Sequence, residues 1–439
     1  MTLRALADIL RHRQTTGWLV GGSVRDRELS RYSPDLDVVV ADDPAAVARE
    51  IAGALGAPWF VLSERYLAYR VMGREGHIDV AAIRGGGILD DLAQRDFTAN
   101  AMAVPVGQEN LIDPFGGLTH LRQGRLVAVS ERIFVDDPLR LMRAARFSHV
   151  LGLQLDASLS ELVRSQAPGL LRAAPERVAA EMVLTLAVGR SAAAARLWHG
   201  LGLLAVVLPE VTSTERLTST VALLDRLDGL LAYPPAWFPE AAGPLAGRLV
   251  QPVDGAISRP VALRLAGLMY RMSAQEAAAA GRRLKSSAAM VSLLQTVSGH
   301  HAQGRGDAAG VADRVSPEDA ACGAPSAARR AVLFLWATAP WEPEVIMITT
   351  AAAADGDDPC SLSHALGPAR RLMALWAERT VDGVPRLPLD GKVLMHELGL
   401  DSGPLLGKVL RETRLAWEAG EATTAAEVLA VARDALRMA

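Results

Sequence analysis

The early part of the chain alternates short apolar runs with stretches of helical periodicity. "LRALADIL" has the apolar spacing of a helix, whereas "WLV" and "LDVVV" are short apolar runs of the kind that form strands. "YLAYRVMG" and "HIDVAAI" predict two more strands, joined by a tight turn at "GREG". Beyond "DPFGG" strand patterns nearly vanish, and Ala- and Leu-rich stretches carry periods of about 3.6 residues. The pattern predicts an α/β head with a mixed sheet and helices, followed by an all-α remainder.

The length of the chain predicts more than one structural unit. Its 439 residues exceed the roughly 250 to 300 residues at which a single core stops growing. Small, polar residues in "GRGDAAGVADRVSPEDAACGAPSAARR" predict a surface loop that interrupts the helical pattern. The expected division is an α/β head over residues 1–122, a helical neck over 123–190, a helical body over 191–335 and a helical tail over 336–439.

The charge and the cysteine content of the chain limit what the protein can bind and the cellular compartment in which it can work. The formal net charge of -3 and the sequence pI of about 6.3 give no global basic field, so a nucleic acid would have to be bound by a local patch. Cys322 and Cys360 are the only cysteines and lack metal-ligand spacing, which fits a reducing cytosol. No window reaches the ~18 uninterrupted apolar residues of a membrane span. We therefore expect a cytoplasmic protein without membrane association.

Histidine pairs give no sign of a second metal centre. No His-Asp dipeptide occurs in the chain, and "GHH" at 299–301 predicts a surface loop rather than a metal site.

Two carboxylates in "PDLDVVV" are the first candidates for chemistry. Asp35 and Asp37 are two residues apart, so on a strand they point to the same face. Such a pair repels itself unless a cation neutralises it, and Mg²⁺ prefers one or two carboxylates together with phosphate oxygens. Asp79 in "HIDVAA" lies on a strand that can pair beside the first and is a candidate third ligand. The alternatives are a solvated strand end for the pair and an edge-strand surface charge for Asp79.

A glycine turn just upstream favours phosphate binding. In "WLVGGSVRD" a predicted strand runs into Gly21 and Gly22 and then into a helix that begins near Ser23. Paired glycines let backbone amides approach a ligand closely, and amides at a helix start favour anionic oxygens. Arg25 adds a charged donor that can clamp a phosphate. The turn therefore predicts a triphosphate site close to the acidic pair.

A later Asp/Arg series can recognise a base. In "FVDDPLRLMRAARF" the sequence places Asp137 and Arg140 three residues apart, on one face of a predicted helix, and Arg143 and Arg146 continue that face. An aspartate supplies acceptors and an arginine donors, which together match the edge of a cytosine, while the further arginines suit phosphate. The alternative is an exposed Asp/Arg ladder worth about 0.2 to 0.5 kcal/mol per pair.

The ordered set of these motifs carries a family resemblance. "GGSVRD", "DLD", "QRDFTANAMAV", "LIDPFGG" and "DDPLRLMRAARF" resemble the class II tRNA nucleotidyltransferases and bacterial poly(A) polymerases of the polymerase β superfamily. The similarity returns in "LDGKVLMHELGLDSGPLLGKVL", so it extends over nearly the whole chain. It implies template-independent, Mg²⁺-dependent transfer of nucleotides from CTP, and possibly ATP in a full CCA-adding enzyme, to tRNA lacking its 3′ end, with release of pyrophosphate.

The resemblance also implies roles for individual residues. Asp35 and Asp37 would bind Mg²⁺, and Asp79 falls near the family's third acidic position. The departures are Gln94 in place of the first arginine of the family's "RRD" motif and Asp136 in place of a glutamate. The residues that the resemblance places at the incoming nucleotide are Gly21, Gly22 and Arg25 for the phosphates, Arg95, Asp96 and Asn100 for contacts that include the ribose, Asp137 and Arg140 as an amino-acid template for the base, and Arg143 and Arg146.

A short connection bears on the product. Only "AAIRGGGILDDLAQ" separates Val80 from Arg95, where many CCA-adding relatives carry a longer segment with a flexible loop. This favours CC addition, with full CCA addition as the close alternative. A poly(A) polymerase and, from another class, a catalytically inactive RNA-binding protein are the other readings. The tail and local basic clusters are expected to contact tRNA, and the sequence leaves the oligomeric state open.

Overall fold

The chain forms two compact units in the computed structural model, which describes residues 3–64, 67–302, 325–353 and 359–438. The first unit contains the residues up to Glu181 together with Gly200–Val206, and the second contains Met182–His199 and the residues from Val207 onward. Most of the predicted surface loop, including Cys322, lies outside the described residues, as does the side chain of Cys360. The division into head, neck, body and tail stays a prediction.

The first unit combines all the strands with short helices. Its strands are β1 (Gly17–Val20), β2 (Leu36–Val40), β3 (Trp59–Ser63), β4 (Ala68–Met72), β5 (His77–Ala82), β6 (Ala103–Pro105), β7 (Arg125–Leu126) and β8 (Gln154–Leu155). The helices that begin in it are α1 (Leu3–His12), α2 (Gly22–Glu28), α3 (Pro44–Leu55), α4 (Ile88–Ala93), α5 (Gly117–Arg122), α6 (Ile133–Asp136), α7 (Arg140–Leu151), α8 (Ala157–Gln166) and α9 (Pro175–Leu186), with 3₁₀ turns at Thr98–Asn100 and Ala167–Arg172.

The main sheet is mixed, as the sequence predicts, and its order is β3-β4-β5-β2-β1-β6. β2 runs parallel to β5, and the other neighbours are antiparallel. The parallel pair requires a crossover, which α3, β3 and β4 supply along the chain. Asp37 on β2 lies directly opposite Asp79 on β5. Because β5 lies inside the sheet, the edge-strand alternative for Asp79 is excluded.

Two strands of this sheet are missing from the sequence prediction. β6 has three residues, which is too short for a period to appear. β3 is an edge strand on which Phe60, Val61 and Leu62 are all about half exposed. Three apolar residues in a row give no alternation of polar and apolar positions, so the sequence pattern did not indicate this strand. The predicted helix near Ser23 is confirmed as α2, and the turn predicted at "GREG" joins β4 to β5.

Two predictions about helix boundaries are wrong. Asp137 does not share a helical face with Arg140, because α6 ends at Asp136 and α7 begins at Arg140. Asp137 is extended, with φ -146° and ψ 104°, as expected for a residue that precedes a proline. Arg143 and Arg146 do follow Arg140 at steps of three along α7. The stretch "GHH" is helical rather than a loop, since α17 continues to Ala302.

The second unit is helical throughout its described part. Its helices are α10 (Ser191–Gly200), α11 (Leu203–Val207), α12 (Thr214–Ala232), α13 (Pro234–Trp237), α14 (Ala242–Val250), α15 (Arg259–Met269), α16 (Ala274–Arg283), α17 (Ala288–Ala302), α18 (Pro325–Thr338), α19 (Glu342–Ala353), α20 (Pro359–Val381), α21 (Gly391–Leu398), α22 (Pro404–Glu418) and α23 (Ala425–Arg437), of which α10 ends and α11 begins in residues grouped with the first unit.

The core of the second unit includes a helix that is apolar all round. The residues from Pro343 to Ala351 in α19 are buried, which is typical of a central helix. Its one buried acid, Glu344, accepts a hydrogen bond from Arg248 at 2.9 Å and is also paired with Arg259. Among the described residues no single helix is long and apolar enough to span a membrane, and one pair, Ala327–Thr338 with Glu342–Ala353, reaches that composition only jointly and with a 109° bend.

Candidate active site

A cavity of about 580 Å³ in the first unit gathers the residues singled out from the sequence. Every predicted site residue lines it except Asp35. The lining residues among those predicted are Gly21, Gly22, Arg25, Asp37, Asp79, Arg95, Asp96, Asn100, Asp137, Arg140, Arg143 and Arg146. Arg84, Asp91, Phe147 and Arg177 also line it and were not predicted. The volume falls within the range of sites that bury a small organic ligand.

The glycine turn brings the backbone against the carboxylate of β2. Gly21 has a φ of 63°, and a side chain there would lie 2.9 Å from a guanidinium nitrogen of Arg95. A Cβ on Gly22 would lie 3.3 Å from Asp37 Oδ2. Ser23 Oγ accepts a hydrogen bond from the Asp37 backbone N–H at 2.6 Å. The positive φ therefore favours glycine at position 21, and the close approach of Asp37 favours it at position 22.

Asp37 is the cavity carboxylate best suited to a cation. Burial raises its pKa, and the charge of Asp79 adds to this effect against the opposing influence of Arg95, the Gly22 N–H and His77. Four of the five aspartates that line the cavity form an ion pair with an arginine: Asp79 with Arg70, Asp91 with Arg95, Asp96 with Arg143 and Asp137 with Arg177. Asp37, the fifth, forms no ion pair with the described residues. A partly buried carboxylate without an ion-pair partner fits a divalent metal ion.

Asp35 lies just before β2 and is held by a residue that the sequence analysis missed. Its Oδ1 accepts a hydrogen bond from the His77 backbone N–H at 3.1 Å and lies 2.8 Å from His77 Nδ1. His77 Nε2 lies 3.7 Å from Asp79 Oδ2. His77 is two residues before Asp79 on the same strand face, so the period-2 rule could have placed it beside the acids.

Both carboxylate oxygens of Asp79 are bound by an arginine on the neighbouring strand β4. This arginine, Arg70, donates to them at 2.7 and 2.8 Å. Across the described residues, no group of three or more His, Cys, Asp or Glu side chains is arranged to hold a metal ion. The structure therefore does not assemble the three acidic residues into a complete set of metal ligands.

A buried hydrogen-bond chain links the glycine-turn helix to α7. Arg25 donates to Asn100 Oδ1 at 2.8 Å, and Asn100 Nδ2 donates to Asp96 Oδ1 at 3.0 Å. Arg143 donates to Asp96 Oδ2 at 2.8 Å. Burial would raise the pKa of Asp96, but the charge of Arg143 and the hydrogen bonds from Asn100, Arg143 and the Phe97 N–H lower it to about 2. Asp96 is thus a fixed negative charge at neutral pH.

Acid unfolding should report this pairing. The pKa of Asp96 in the folded state lies below its ordinary value of 3.8, so ionised Asp96 stabilises the fold above that value and loses this contribution as the pH falls through about 2. We expect the difference in unfolding free energy between wild type and Asp96→Asn to shrink by about 2 kcal/mol between about pH 5 and pH 2. Urea unfolding at each pH measures it, and a constant difference would contradict the pairing.

Asp91 organises the short connection before Arg95. It is fully buried and accepts from Arg84 at 2.8 Å and from Arg95 at 2.9 and 3.0 Å. The connection folds as α4 rather than as an extended loop, and Asp91 and Arg95 are four residues apart along it. That i, i+4 spacing in "DLAQR" was the signal available in the sequence.

Asp137 and Arg140 both reach the cavity but bind different partners. Asp137 accepts from the Leu139 N–H and from Arg177, each at 3.1 Å. Arg140 donates to the backbone carbonyl of Gln94 at 2.8 Å. Because this contact uses the main chain, it does not depend on which side chain stands at position 94. The departure from the family motif at Gln94 therefore leaves the support of Arg140 intact.

Family descriptions match two stretches of the first half of the chain. "Poly A polymerase head domain" matches residues 17–127, and "Probable RNA and SrmB- binding site of polymerase A" matches residues 152–214. The first range contains the glycine turn, all three predicted acids and the "RD" motif.

Relatives with known names and structures agree with these matches. The chain is 31% identical over 426 residues to the CC-adding tRNA nucleotidyltransferase of Geobacter sulfurreducens, covering 96% of this chain and 92% of that protein. It is 38% identical over 205 residues to the A-adding tRNA nucleotidyltransferase of Deinococcus radiodurans, covering 46% of each.

Solved structures share the fold. A CCA-adding enzyme in complex with CTP has a TM-score of 0.70 at 19% identity and covers 99% of this chain and 94% of its own. The Thermotoga maritima CCA-adding enzyme complexed with tRNA has a TM-score of 0.61 at 19% identity, with the same coverage. Nucleotidyltransferases of this family generally use a divalent metal. The chain is therefore an enzyme of the tRNA nucleotidyltransferase and poly(A) polymerase family.

Proposed function

We propose that the protein adds CMP to the 3′ end of tRNA that lacks its CCA terminus, using CTP and releasing pyrophosphate. The observation that carries this proposal is the cavity itself, in which a partly buried Asp37 without an ion pair to the described residues lies among several arginines. A triphosphate needs such clustered cationic donors, and a nucleotidyl transfer needs a carboxylate that holds a metal. The similarity to a CC-adding enzyme over nearly the whole chain supports tRNA as the acceptor.

The reaction is an in-line displacement without a covalent enzyme intermediate. The 3′-hydroxyl of the tRNA forms a bond to the α-phosphorus of CTP while the bond to the bridging oxygen of pyrophosphate breaks. Arg25, Arg143 and Arg146 bind the phosphates of CTP and neutralise their charge in the bound nucleotide and in the transition state alike. Asp37 and Asp35 would hold Mg²⁺, which when bound lowers the pKa of the attacking hydroxyl and neutralises the phosphates.

Asp137, just before α7, and Arg140, the first residue of α7, select the base. Asp137 offers carboxylate acceptors for the amino group of cytosine, and Arg140 offers donors for its ring nitrogen and carbonyl. One guanidinium carries several N–H donors, so the contact of Arg140 with Gln94 is compatible with a bond to the base. Arg177 fixes the orientation of Asp137 from the side.

A addition is the second candidate, because two relatives that match part of the chain are A-adding enzymes. The compact connection, in which Asp91 binds Arg84 and Arg95, favours C addition, since a rigid wall leaves the base pocket little room to change for a larger purine.

A poly(A) polymerase shares the head and differs in product. An inactive RNA-binding protein fits poorly, since Asp37 is present in the cavity and forms no ion pair with the described residues. A cytoplasmic location, where tRNA and CTP are available, belongs to the same proposal.

Product analysis tests the choice directly. Purified protein is incubated with tRNA lacking its 3′ end, with CTP or ATP alone and with both together, and the products are resolved at single-nucleotide resolution. We expect growth by two C residues with CTP and arrest there even when ATP is present. Efficient addition of the final A would replace CC addition by full CCA addition, and long A tracts would indicate a poly(A) polymerase.

A further inference from the structure

Phe147 stands among three arginines at the wall of the cavity. The guanidinium carbons of Arg25, Arg143 and Arg146 lie 5.4, 5.2 and 4.3 Å from the centre of its ring. The side chain is 6% exposed, and Phe97 packs edge-on against it at 5.8 Å with an interplanar angle of 78°. The ring is thus buried and fixed while it lines the cavity.

Three guanidinium groups in one place repel each other, and among the described residues no single carboxylate forms an ion pair with all three. Arg25 pairs with Asp26, and Arg143 pairs with Asp96. Glu181 pairs with Arg146 at 2.5 Å and lies 3.9 Å from Arg143. The two arginines of α7 therefore share one carboxylate, and Arg25 shares no ion pair with either of them.

The ring of Phe147 is the feature that these arginines share. The face of an aromatic ring carries partial negative charge and attracts cations within about 6 Å of its centre. Arg25 comes from α2 beside the glycine turn, whereas Arg143 and Arg146 come from α7. The ring of Phe147 therefore contacts arginines from both helices. Without the ring, Arg25 would remain linked to Arg143 through the hydrogen-bond chain of Asn100 and Asp96, but the attraction of all three guanidinium groups to one ring would be lost.

We propose that Phe147 is a positioning residue, whose ring holds Arg25, Arg143 and Arg146 together as one group that binds the triphosphate of the incoming nucleotide. This rests on the proposed function, which makes the cavity the nucleotide site. Phe147 acts through the arginines rather than through the reacting atoms. It therefore sets nucleotide affinity, and because the arginines bind ground state and transition state alike, it should affect KM more than kcat.

Substitutions that separate ring charge from packing test this role. Phe147→Leu and Phe147→Met keep an apolar side chain but lose the aromatic face, whereas Phe147→Tyr keeps the face. We expect Phe147→Leu and Phe147→Met to raise the KM for CTP about tenfold, which corresponds to about 1.4 kcal/mol, with kcat within about twofold of wild type. Phe147→Tyr should stay close to wild type. Equilibrium dialysis of CTP without tRNA should give the same tenfold loss in affinity.

A matched control removes a ring from a site of equal burial. Phe238 is fully buried in the second unit and lies outside the cavity, so Phe238→Leu should lower thermal stability without changing the KM for CTP. If Phe147 served packing alone, Phe147→Leu would behave in the same way, with fewer active molecules and an unchanged KM. That result would overturn the proposal, as would a Tyr variant that binds CTP as poorly as the Leu variant.

The outcomes also separate this proposal from the proposed function. If wild type transfers CMP to tRNA while Phe147→Leu binds CTP normally, the positioning role is wrong and the function stands. If wild type fails to extend tRNA but loses CTP affinity on Phe147→Leu substitution, the positioning role stands and the function is wrong. If both non-aromatic variants fail to fold while Phe147→Tyr folds, the ring is a folding element and the positioning role is rejected.

Discussion

Asp37→Asn is expected to lower the rate of nucleotide transfer about a thousandfold, which corresponds to about 4 kcal/mol of transition-state stabilisation. Asparagine keeps the shape of the side chain and removes the one cavity carboxylate that forms no ion pair with an arginine of the described residues. The site would then lose the residue that is proposed to hold the metal. Single-turnover incorporation of labelled CMP into tRNA, over a titration of Mg²⁺, measures both the rate and the metal requirement.

The controls for this variant isolate chemistry from binding. tRNA affinity should remain near the wild-type value, because the substitution leaves the exposed surface unchanged. Asp35→Asn should also slow transfer, since Asp35 is proposed to share the ion, and its own dependence on Mg²⁺ tests that sharing. Asp434→Asn changes an aspartate whose side chain is 66% exposed and should leave transfer unaltered. Normal turnover by Asp37→Asn would refute the metal assignment.

Glu344→Gln is expected to destabilise the second unit by about 3 to 5 kcal/mol, because it leaves a buried arginine without a counter-charge. The side chains of Glu344 and Arg259 are only 1% and 5% exposed. Arg248 binds the same carboxylate from α14, so one acid joins α14, α15 and α19. Equilibrium unfolding in urea, followed by a probe in the second unit such as tryptophan fluorescence, measures the loss.

Two comparisons show whether buried charge is the cause. The exposed pair of Asp434 with Arg437 should contribute no more than about 1 kcal/mol, so Asp434→Asn serves as the reference for an ion pair in water. Replacing both partners, by Glu344→Leu with Arg259→Met, should recover part of the stability lost in Glu344→Gln, since no uncompensated buried charge remains between them. A Glu344→Gln protein as stable as wild type would contradict the expectation.

The sequence predicted the site residues correctly where they lie close together along one turn, strand or helix. The glycines at 21 and 22, the acids of β2 and the Arg143/Arg146 step are separated by few residues, and a turn, a strand and a helix each convert that spacing into a shared direction. The prediction failed for Asp137, because a proline in the following position prevents the helix from extending back to it. The family resemblance placed Asp137 at the site nonetheless, and the cavity contains it.

Residues far apart in sequence were the ones missed or misjudged. His77 contacts Asp35 from another strand, and Arg70 takes both oxygens of Asp79 across the sheet. Arg177 reaches Asp137 from α9. None of these pairings follows from spacing along one element. They change the picture of the acidic cluster, since of the three acids only Asp37 both lines the cavity and forms no ion pair with the described residues.

The sequence by itself determined the class of fold, the order of the motifs and the family, because periodicity and spacing act within single strands, turns and helices. Only the tertiary structure decided how charges pair: which acid is left free, that Asp91 joins Arg84 to Arg95, and that one phenylalanine gathers three arginines. The physical reason is that electrostatic energies depend on distance and burial in three dimensions, and these arise only when strands and helices from distant parts of the chain pack together.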